Sequence, residues 1–151
     1  MKLAEALIER AELQKLNKQL LSRIKDNILL QEGDSPAEDP EELITQYEEC
    51  MGRLCELIQR INETNSKTLF ENGLTIADAI ALRDSIDARR TAYQNLYSAA
   101  TITVSRYSKQ EIKFVRSVDP KDLQTKINEL AKAYRQLDTK LQGLNWTVEL
   151  L

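Results

Sequence analysis

The chain contains 151 residues, 42% of them hydrophobic and 30% charged, a length and balance that suit one domain spanning residues 1–151. It contains no histidine, which removes the imidazole that Ser-His-Asp catalysis, Cys-His catalysis and the usual zinc sites require. The 21 basic and 24 acidic residues give a net charge of −3, which argues against nucleic acid as a binding partner.

Residues 2–31 predict a long first helix. The segment contains neither Gly nor Pro and is rich in the helix formers Leu, Glu, Lys, Arg and Gln. The apolar residues along one side are Leu13, Leu20, Leu21, Ile24 and Ile28. The helix should stop near Gly33, which suits a left-handed cap, and before Pro36, which cannot continue a helix.

A second helix is predicted to begin at Asp39-Pro40, because Asp39 can accept hydrogen bonds from free backbone N–H groups and Pro40 suits the first helical position. Its apolar residues step by three and four positions: Ile44, Tyr47, Met51, Leu54, Ile58 and Ile61. A further stripe at seven-residue intervals comprises Leu43, Cys50 and Leu57. A stripe this broad favours a helix that packs on several neighbours in a bundle.

The helical pattern breaks between Asn65 and Thr75. Residues 68–70 have a strand-like composition, and Asn72-Gly73 favours a turn. A third helix should begin at Thr75, with an end that the β-branched residues 101–104 make hard to place. Apolar residues alternate over residues 111–118, so we consider a small β-hairpin element formed by residues 68–70 and 111–118.

A fourth helix is predicted to begin at Asp119-Pro120, which repeats the start signal of the second, and to end near Gly143 and Asn145. Its apolar residues step by four and three: Leu123, Ile127, Leu130, Tyr134, Leu137, Leu141 and Leu144. Long helices joined by short connections favour antiparallel neighbours. The sequence therefore predicts an all-α fold, an antiparallel up-and-down four-helix bundle with the β element at one end.

The sharpest polar set is on the third helix, where Arg83, Asp87 and Arg90 are spaced four and three residues apart on one face. The set is either an anion clamp built from two guanidinium groups or a ladder of ion pairs within the helix. Asn62 and Asn65, close to the inner stripe of the second helix, either join this set in a buried network or end their helix.

Carboxylates on two helices offer an enzymatic alternative. Glu9 and Glu12 on the first helix, with Asp84 and Asp87 on the third, could hold Mg²⁺ against a phosphate substrate, as in all-α nucleotide phosphohydrolases. Residues 105–118 carry Arg106, Lys109, Lys113 and Arg116 against one acid, Glu111. This segment could bind an acidic partner, such as the acidic residues 32–49 of a neighbouring subunit, or be a solvated edge.

The location expected from the sequence is the cytoplasm. The first residues carry Glu5, Glu9 and Glu12 where a signal peptide needs an apolar stretch, and no run of apolar residues is long enough to span a bilayer. Cys50 and Cys55 are five residues apart, too far around a helix to form a disulfide, as expected in a reducing compartment.

The chain resembles a family of small bacterial helical proteins labelled septicolysin. The stretches that carry the resemblance are QEGDSPAEDP (31–40), LIQRINETN (57–65), Arg83-Asp84, RYSKQEIK (106–113) and Leu144-Asn145-Trp146. The resemblance implies a helical fold, and the label implies a pore-forming, membrane-lytic protein. Its polar stretches point to a site comprising Arg60, Asn62, Asn65, Arg83, Asp84, Arg106 and Tyr107.

These observations predict a cytoplasmic, non-enzymatic helical protein that self-associates through its helix faces and needs neither metal nor cofactor. The residues predicted to bind any ligand are Arg60, Asn62, Asn65, Arg83, Asp84, Asp87, Arg90, Arg106 and Tyr107. The alternatives are the Mg²⁺-dependent phosphohydrolase and the septicolysin-like lytic protein.

Overall fold

The computed structural model describes residues 1–101 and 114–151. About 76% of these residues are helical, and none of them belongs to a sheet. The helices are α1 (Leu3–Ile28), α2 (Pro40–Lys67), α3 (Ile76–Thr101) and α4 (Pro120–Asn145). Helix α1 packs on α2, and α3 packs on α4. The predicted all-α fold of four long helices is therefore confirmed.

Helices α2 and α4 begin at the caps that the sequence predicts. Asp39 Oδ1 accepts a hydrogen bond from the Glu41 backbone N–H at 2.9 Å, with proline in the first helical turn. Asp119 Oδ1 accepts from the Lys121 N–H at 2.8 Å in the same way. Each carboxylate thus satisfies one of the N–H groups that a helix leaves free at its start.

Helix α1 ends at Ile28, about three residues before the predicted end. The buried Asn27 side chain accounts for this, because its Nδ2 donates to Arg23 O at 2.9 Å while its Oδ1 accepts from the Glu38 N–H at 3.1 Å. It therefore fixes the connecting segment against the last turn of α1. Gly33 does not cap the helix but has a φ of 93° within the connection.

The chain forms two compact units: a first unit of Met1–Ile76 with Gln142–Leu151, and a second unit of Ala77–Leu141. The single domain predicted for residues 1–151 stays a prediction. In the first unit, α1 and α2 are antiparallel, since Asn27 contacts Glu38 near one end of the pair and Glu9 contacts Arg53 farther along. The core between them comprises Leu20, Ile24, Leu43 and Cys50, with Leu13 and Tyr47 packed against it.

The two ends of the sequence meet in the first unit. The Leu3 N–H donates to Val148 O at 2.9 Å, and Lys2 and Glu149 form an isolated antiparallel bridge beside it. Leu3 is fully buried at this point. The first turn of α1 is thereby fixed to the residues that follow α4.

In the second unit, α3 and α4 are also antiparallel. Arg83 contacts Asp138, and Arg90, farther along α3, contacts the earlier residue Tyr134 of α4. Among the described residues of this unit, the buried apolar ones are Ala79, Ile86, Ile127, Leu130 and Leu141. Three of them belong to the stripe predicted for the fourth helix.

The predicted β-hairpin element is not present in the described residues. Leu69 instead forms an isolated bridge with Thr75, around a turn in which Asn72 and Gly73 have φ values of 53° and 80°. The Phe70 N–H donates to Leu74 O at 2.7 Å, so this local turn takes the backbone groups that the predicted pairing needed. Residues 114–118 have no strand structure, and residues 111–113 lie outside the described residues.

Only part of the broad apolar stripe of α2 is buried. Leu43, Cys50, Leu54, Leu57 and Ile61 are buried. In contrast, Ile44 and Met51, which the three-and-four spacing also placed inside, stay exposed. The reason is geometric: residues that are neighbours in sequence lie about 100° apart around a helix, and the side carrying Leu43 and Cys50 faces α1.

Candidate functional site

The predicted polar set on α3 forms a cluster with two residues of α4, which we call the arginine–aspartate cluster: Arg83, Asp84, Asp87, Arg90, Tyr134 and Asp138. Arg83 Nη1 lies 3.1 Å from Asp138 Oδ1, and its Nη2 lies 2.9 Å from Asp84 Oδ1. The side chains of Arg83 and Asp138 are 25% and 30% exposed. Arg83 therefore joins the two helices through an ion pair that is partly shielded from solvent.

The second arginine of the cluster has its own partners. Arg90 Nη2 donates to Asp87 Oδ1 at 2.6 Å, and Arg90 Cζ lies 5.3 Å from the centroid of the Tyr134 ring, within the range of a cation–π contact. Its Nε atom is buried without a hydrogen-bond partner among the described residues. Arg90 is thus held by one carboxylate and one aromatic face.

The electrostatics of the cluster favour ion pairing within it. Partial burial lowers the pKa of Arg83, but the hydrogen bonds to Asp84 and Asp138 outweigh this effect and raise its pKa above the ordinary value. Three aspartates surround two arginines, so the cluster has no excess positive charge. An incoming anion would have to displace a carboxylate, whereas the present contacts already fix α3 against α4.

The other predicted site residues lie elsewhere. Arg60, Asn62 and Asn65 are on α2 in the first unit. Arg60 Nε donates to the backbone oxygen of Leu151 at 2.8 Å, Asn62 is exposed and Asn65 is half-buried. Helix α2 continues past both asparagines to Lys67, so neither ends it.

Arg106 and Tyr107 lie outside the described residues, as do Lys109 and Lys113 of the basic segment. The structure thus brings together Arg83, Asp84, Asp87 and Arg90. Ligand binding by any of the nine residues that the sequence analysis named stays a prediction.

Three of the four carboxylates of the phosphohydrolase hypothesis are paired with arginines. Arg53 Nε donates to Glu9 Oε1 at 2.8 Å, and Arg83 and Arg90 bind Asp84 and Asp87. Across residues 1–101 and 114–151, no three Cys, Asp or Glu side chains are grouped so as to hold a metal ion.

An open groove of about 580 Å³ lies on one flank of the first helix pair, and we call it the acidic groove. Its lining residues are Glu5, Ile8, Glu9, Glu12, Leu13, Leu16 and Arg53. Two of its apolar residues, Ile8 and Leu16, are exposed. The groove therefore combines an apolar floor with a rim in which acids outnumber bases.

A second exposed surface lies on the opposite flank, because Met51 and Arg53 are about 160° apart around α2. We call it the apolar face, and it comprises Leu21 and Ile28 of α1 with Ile44 and Met51 of α2. These side chains are 40%, 62%, 41% and 38% exposed, respectively. The sequence did not identify this surface, because all four residues were assigned to the bundle interior.

Fold and site together define a class of protein: an all-α protein of paired antiparallel helices with exposed apolar surface on them. Residues 10–150 match a family of unknown function, DUF6847, and the chain belongs to that family. It is also similar to a functionally unknown conserved protein from Corynebacterium diphtheriae whose crystal structure is known. The identity is 44%, the TM-score is 0.94, and the match covers 100% of this chain and 99% of that one. No protein of curated function matches the chain.

The resemblance to septicolysin is wrong. The matching family and the C. diphtheriae protein are both described as functionally unknown, and neither carries that label. The lytic activity that the resemblance implied is therefore withdrawn. In the described part of the chain, no helix is both long enough and apolar enough to cross a membrane.

Proposed function

We propose that the protein is a non-enzymatic helical module of the cytoplasm that self-associates through exposed apolar residues on its helices. The observation that carries the proposal is the spacing of those residues. Leu21 and Ile28 on α1, and Ile44 and Met51 on α2, are seven residues apart within each pair. Positions seven apart lie on the same side of a helix, so each pair forms a stripe.

The second unit shows twice this spacing. Leu82 and Leu96 of α3 are about half exposed and are fourteen residues apart, which again places them on one side of their helix. Covering one half-exposed Leu or Ile side chain contributes on the order of 1 kcal/mol. Several such side chains buried together are needed to offset the entropy lost on association.

Two further features support this reading. The free thiols of Cys50 and Cys55 suit the reducing conditions of a cytoplasm. The net charge of −3 disfavours nucleic acid as the partner. An acidic protein that binds its own copies through apolar stripes needs neither metal nor cofactor for this task.

Sedimentation equilibrium of the purified chain between about 1 and 100 μM tests the proposal, since this range detects association free energies of about −5.5 kcal/mol or stronger. We expect a dimer or larger species whose proportion grows with concentration. A monomer at every concentration would overturn the proposal.

The phosphohydrolase alternative is tested separately with MgCl₂ and nucleoside triphosphates. We expect neither a rise in Tm nor release of phosphate. Mg²⁺-dependent turnover that disappears in the double variant Asp84→Ala with Asp87→Ala would show that the protein is an enzyme and contradict the proposal.

A further inference from the structure

We infer that two copies of this chain pair face to face through the apolar face, with α1 of one copy lying over α2 of the other. This inference rests on the proposed function, because it specifies the surface and geometry of self-association. Its evidence is independent of the apolar stripes themselves. It comes from the charged residues along the two edges of the face.

The α1 edge of the apolar face is basic. Lys18 and Lys25 are exposed and lie three or four residues from Leu21, so they flank the apolar stripe on the side away from the buried Leu20. Neither lysine has an ion-pair partner among residues 1–101 and 114–151. This edge therefore offers two uncompensated positive charges.

The α2 edge of the same face is acidic. Glu41 and Glu48 are exposed, and each lies three or four residues from Ile44. In the described ranges, neither side chain forms an ion pair. Like the lysines of α1, the two glutamates are seven residues apart.

The two edges match in height along the helix pair. Asn17 Nδ2 lies 2.9 Å from Met51 Sδ, so these residues lie at about the same height in the antiparallel pair. Lys18 is one residue beyond Asn17, and Glu48 is three residues back from Met51 in the same direction. At a rise of about 1.5 Å per residue, Lys18 and Glu48 differ in height by only about 3 Å.

The second lysine and the second glutamate of the two edges, seven residues from the first on each helix, also match in height. Counted from Asn17 and Met51, Lys25 is eight residues farther along α1, and Glu41 is ten residues back along α2 in the same direction. Lys25 and Glu41 therefore also differ in height by about 3 Å.

A two-fold axis parallel to the helices, lying on the face between α1 and α2, exchanges the two edges and preserves height. It sets Lys18 opposite Glu48 of the second copy and Lys25 opposite Glu41 of the second copy, and symmetry repeats both pairs. The stripes of Leu21, Ile28, Ile44 and Met51 meet between these rows. A two-fold axis across the helices would instead set α1 on α1 and bring lysine against lysine.

Charge reversal tests this arrangement. One variant carries Lys18→Glu with Lys25→Glu, and the other carries Glu41→Lys with Glu48→Lys. Each alone should raise the dimer Kd about 10-fold or more, because like charges then meet across the interface. An equimolar mixture should form a heterodimer, since every reversed edge then meets its complement, and native mass spectrometry distinguishes the two masses.

The matched control carries Lys121→Glu with Lys132→Glu, which changes the net charge equally at two exposed lysines of α4 that belong to neither the apolar face nor its edges. It should dimerise like the unmodified protein. A salt titration of the unmodified protein provides a measurement that needs no variant: its Kd should rise with ionic strength as the edge pairs are screened.

The outcomes separate the two proposals. A monomeric unmodified protein overturns the proposed function and this arrangement with it. A dimer that tolerates both reversals, shows no preference for the mixed species and ignores salt overturns the arrangement alone. Loss of the dimer in each variant and its recovery on mixing support both.

Discussion

Thr64 is a buried residue of α2 that holds the last residue, Leu151, in place. Its Oγ1 donates to Arg60 O at 2.8 Å and accepts from the Leu151 N–H at 3.0 Å, and the residue is fully buried. Thr64→Val keeps the side-chain shape but leaves the Leu151 N–H without its acceptor. We expect the free energy of unfolding to fall by about 1–2 kcal/mol in urea denaturation.

The control for this substitution is Thr45→Val. The Thr45 hydroxyl donates to Glu41 O at 3.0 Å, the same kind of contact, but at an exposed position where water can replace the lost bond. The expected loss is below about 0.5 kcal/mol. Equal losses in the two variants would show that Thr64 does not anchor the terminal segment.

The contact of Glu38 with Arg23 predicts how the stability of the fold changes at acidic pH. The hydrogen bond from Arg23, with Arg23 Nε 2.9 Å from Glu38 Oε2, holds the pKa of Glu38 below its ordinary value of 4.5. Because the pKa is lower in the folded state, the carboxylate stabilises the fold above its unfolded pKa, and this contribution disappears as pH falls through the folded pKa. Glu38→Gln should therefore lower Tm at neutral pH but not well below pH 4.5.

Thermal unfolding of both proteins at neutral and acidic pH measures this difference. Glu56→Gln is the control, since Glu56 is an exposed residue of α2 with no ion pair among the described residues. It should shift Tm little at either pH. A Tm difference for Glu38→Gln that persists unchanged in acid would contradict the assignment.

Among the elements, α3 and α4 are joined by the pair Arg83–Asp138. A double-mutant cycle with Arg83→Met and Asp138→Asn should give a coupling free energy of about 0.5–1.5 kcal/mol, because both side chains are partly shielded from water. The comparison cycle uses Lys126 and Glu129, which lie 3.4 Å apart on the surface of α4 alone.

The comparison cycle should give less than about 0.5 kcal/mol. Urea denaturation measures both cycles. If the coupling of Arg83 with Asp138 is no greater than that of the surface pair, the arginine–aspartate cluster does not hold the two helices together.

Local signals in the sequence were sufficient to predict the helices. The Asp-Pro caps at residues 39 and 119 and the three-and-four spacing of apolar residues depend only on neighbours along the chain. The side of a broad stripe that faces another helix does not depend on these neighbours alone. Helix α2, for example, buries Cys50 but exposes the adjacent Met51. That choice depends on the shape of the facing α1 surface, which no local pattern contains.

The candidate site was predictable to the same extent. The grouping of Arg83, Asp87 and Arg90 follows from helical spacing within α3. Asp138 is 55 residues from Arg83 in sequence, and only the packing of α3 on α4 makes it a partner. The basic and acidic edges of the apolar face were missed for the same reason, since they belong to two helices whose register the sequence leaves open.

At the scale of the whole molecule, self-association makes stability depend on concentration. A partner that binds only the folded chain raises Tm by mass action, so Tm should rise by several degrees between about 1 and 100 μM. Leu21→Glu should remove this dependence by placing a charge in the apolar face. Scanning calorimetry or fluorescence at several concentrations measures both effects.

A control for this prediction is Gln19→Glu, at an exposed position of α1 about 160° around the helix from Leu21. It adds the same charge outside the apolar stripe, so the rise in Tm with concentration should survive. A Tm of the unmodified protein that is independent of concentration would argue that the exposed stripes have another purpose.

The two cysteines differ in their access to solvent. Cys50 is buried, with its Sγ 3.7 Å from Leu13 O, whereas Cys55 is exposed on α2 one turn beyond Met51. A maleimide reagent should consequently modify Cys55 alone in the native protein. The natural sequence thus provides a single attachment point for a spin label or fluorophore, beside the surface where a second copy is expected to sit.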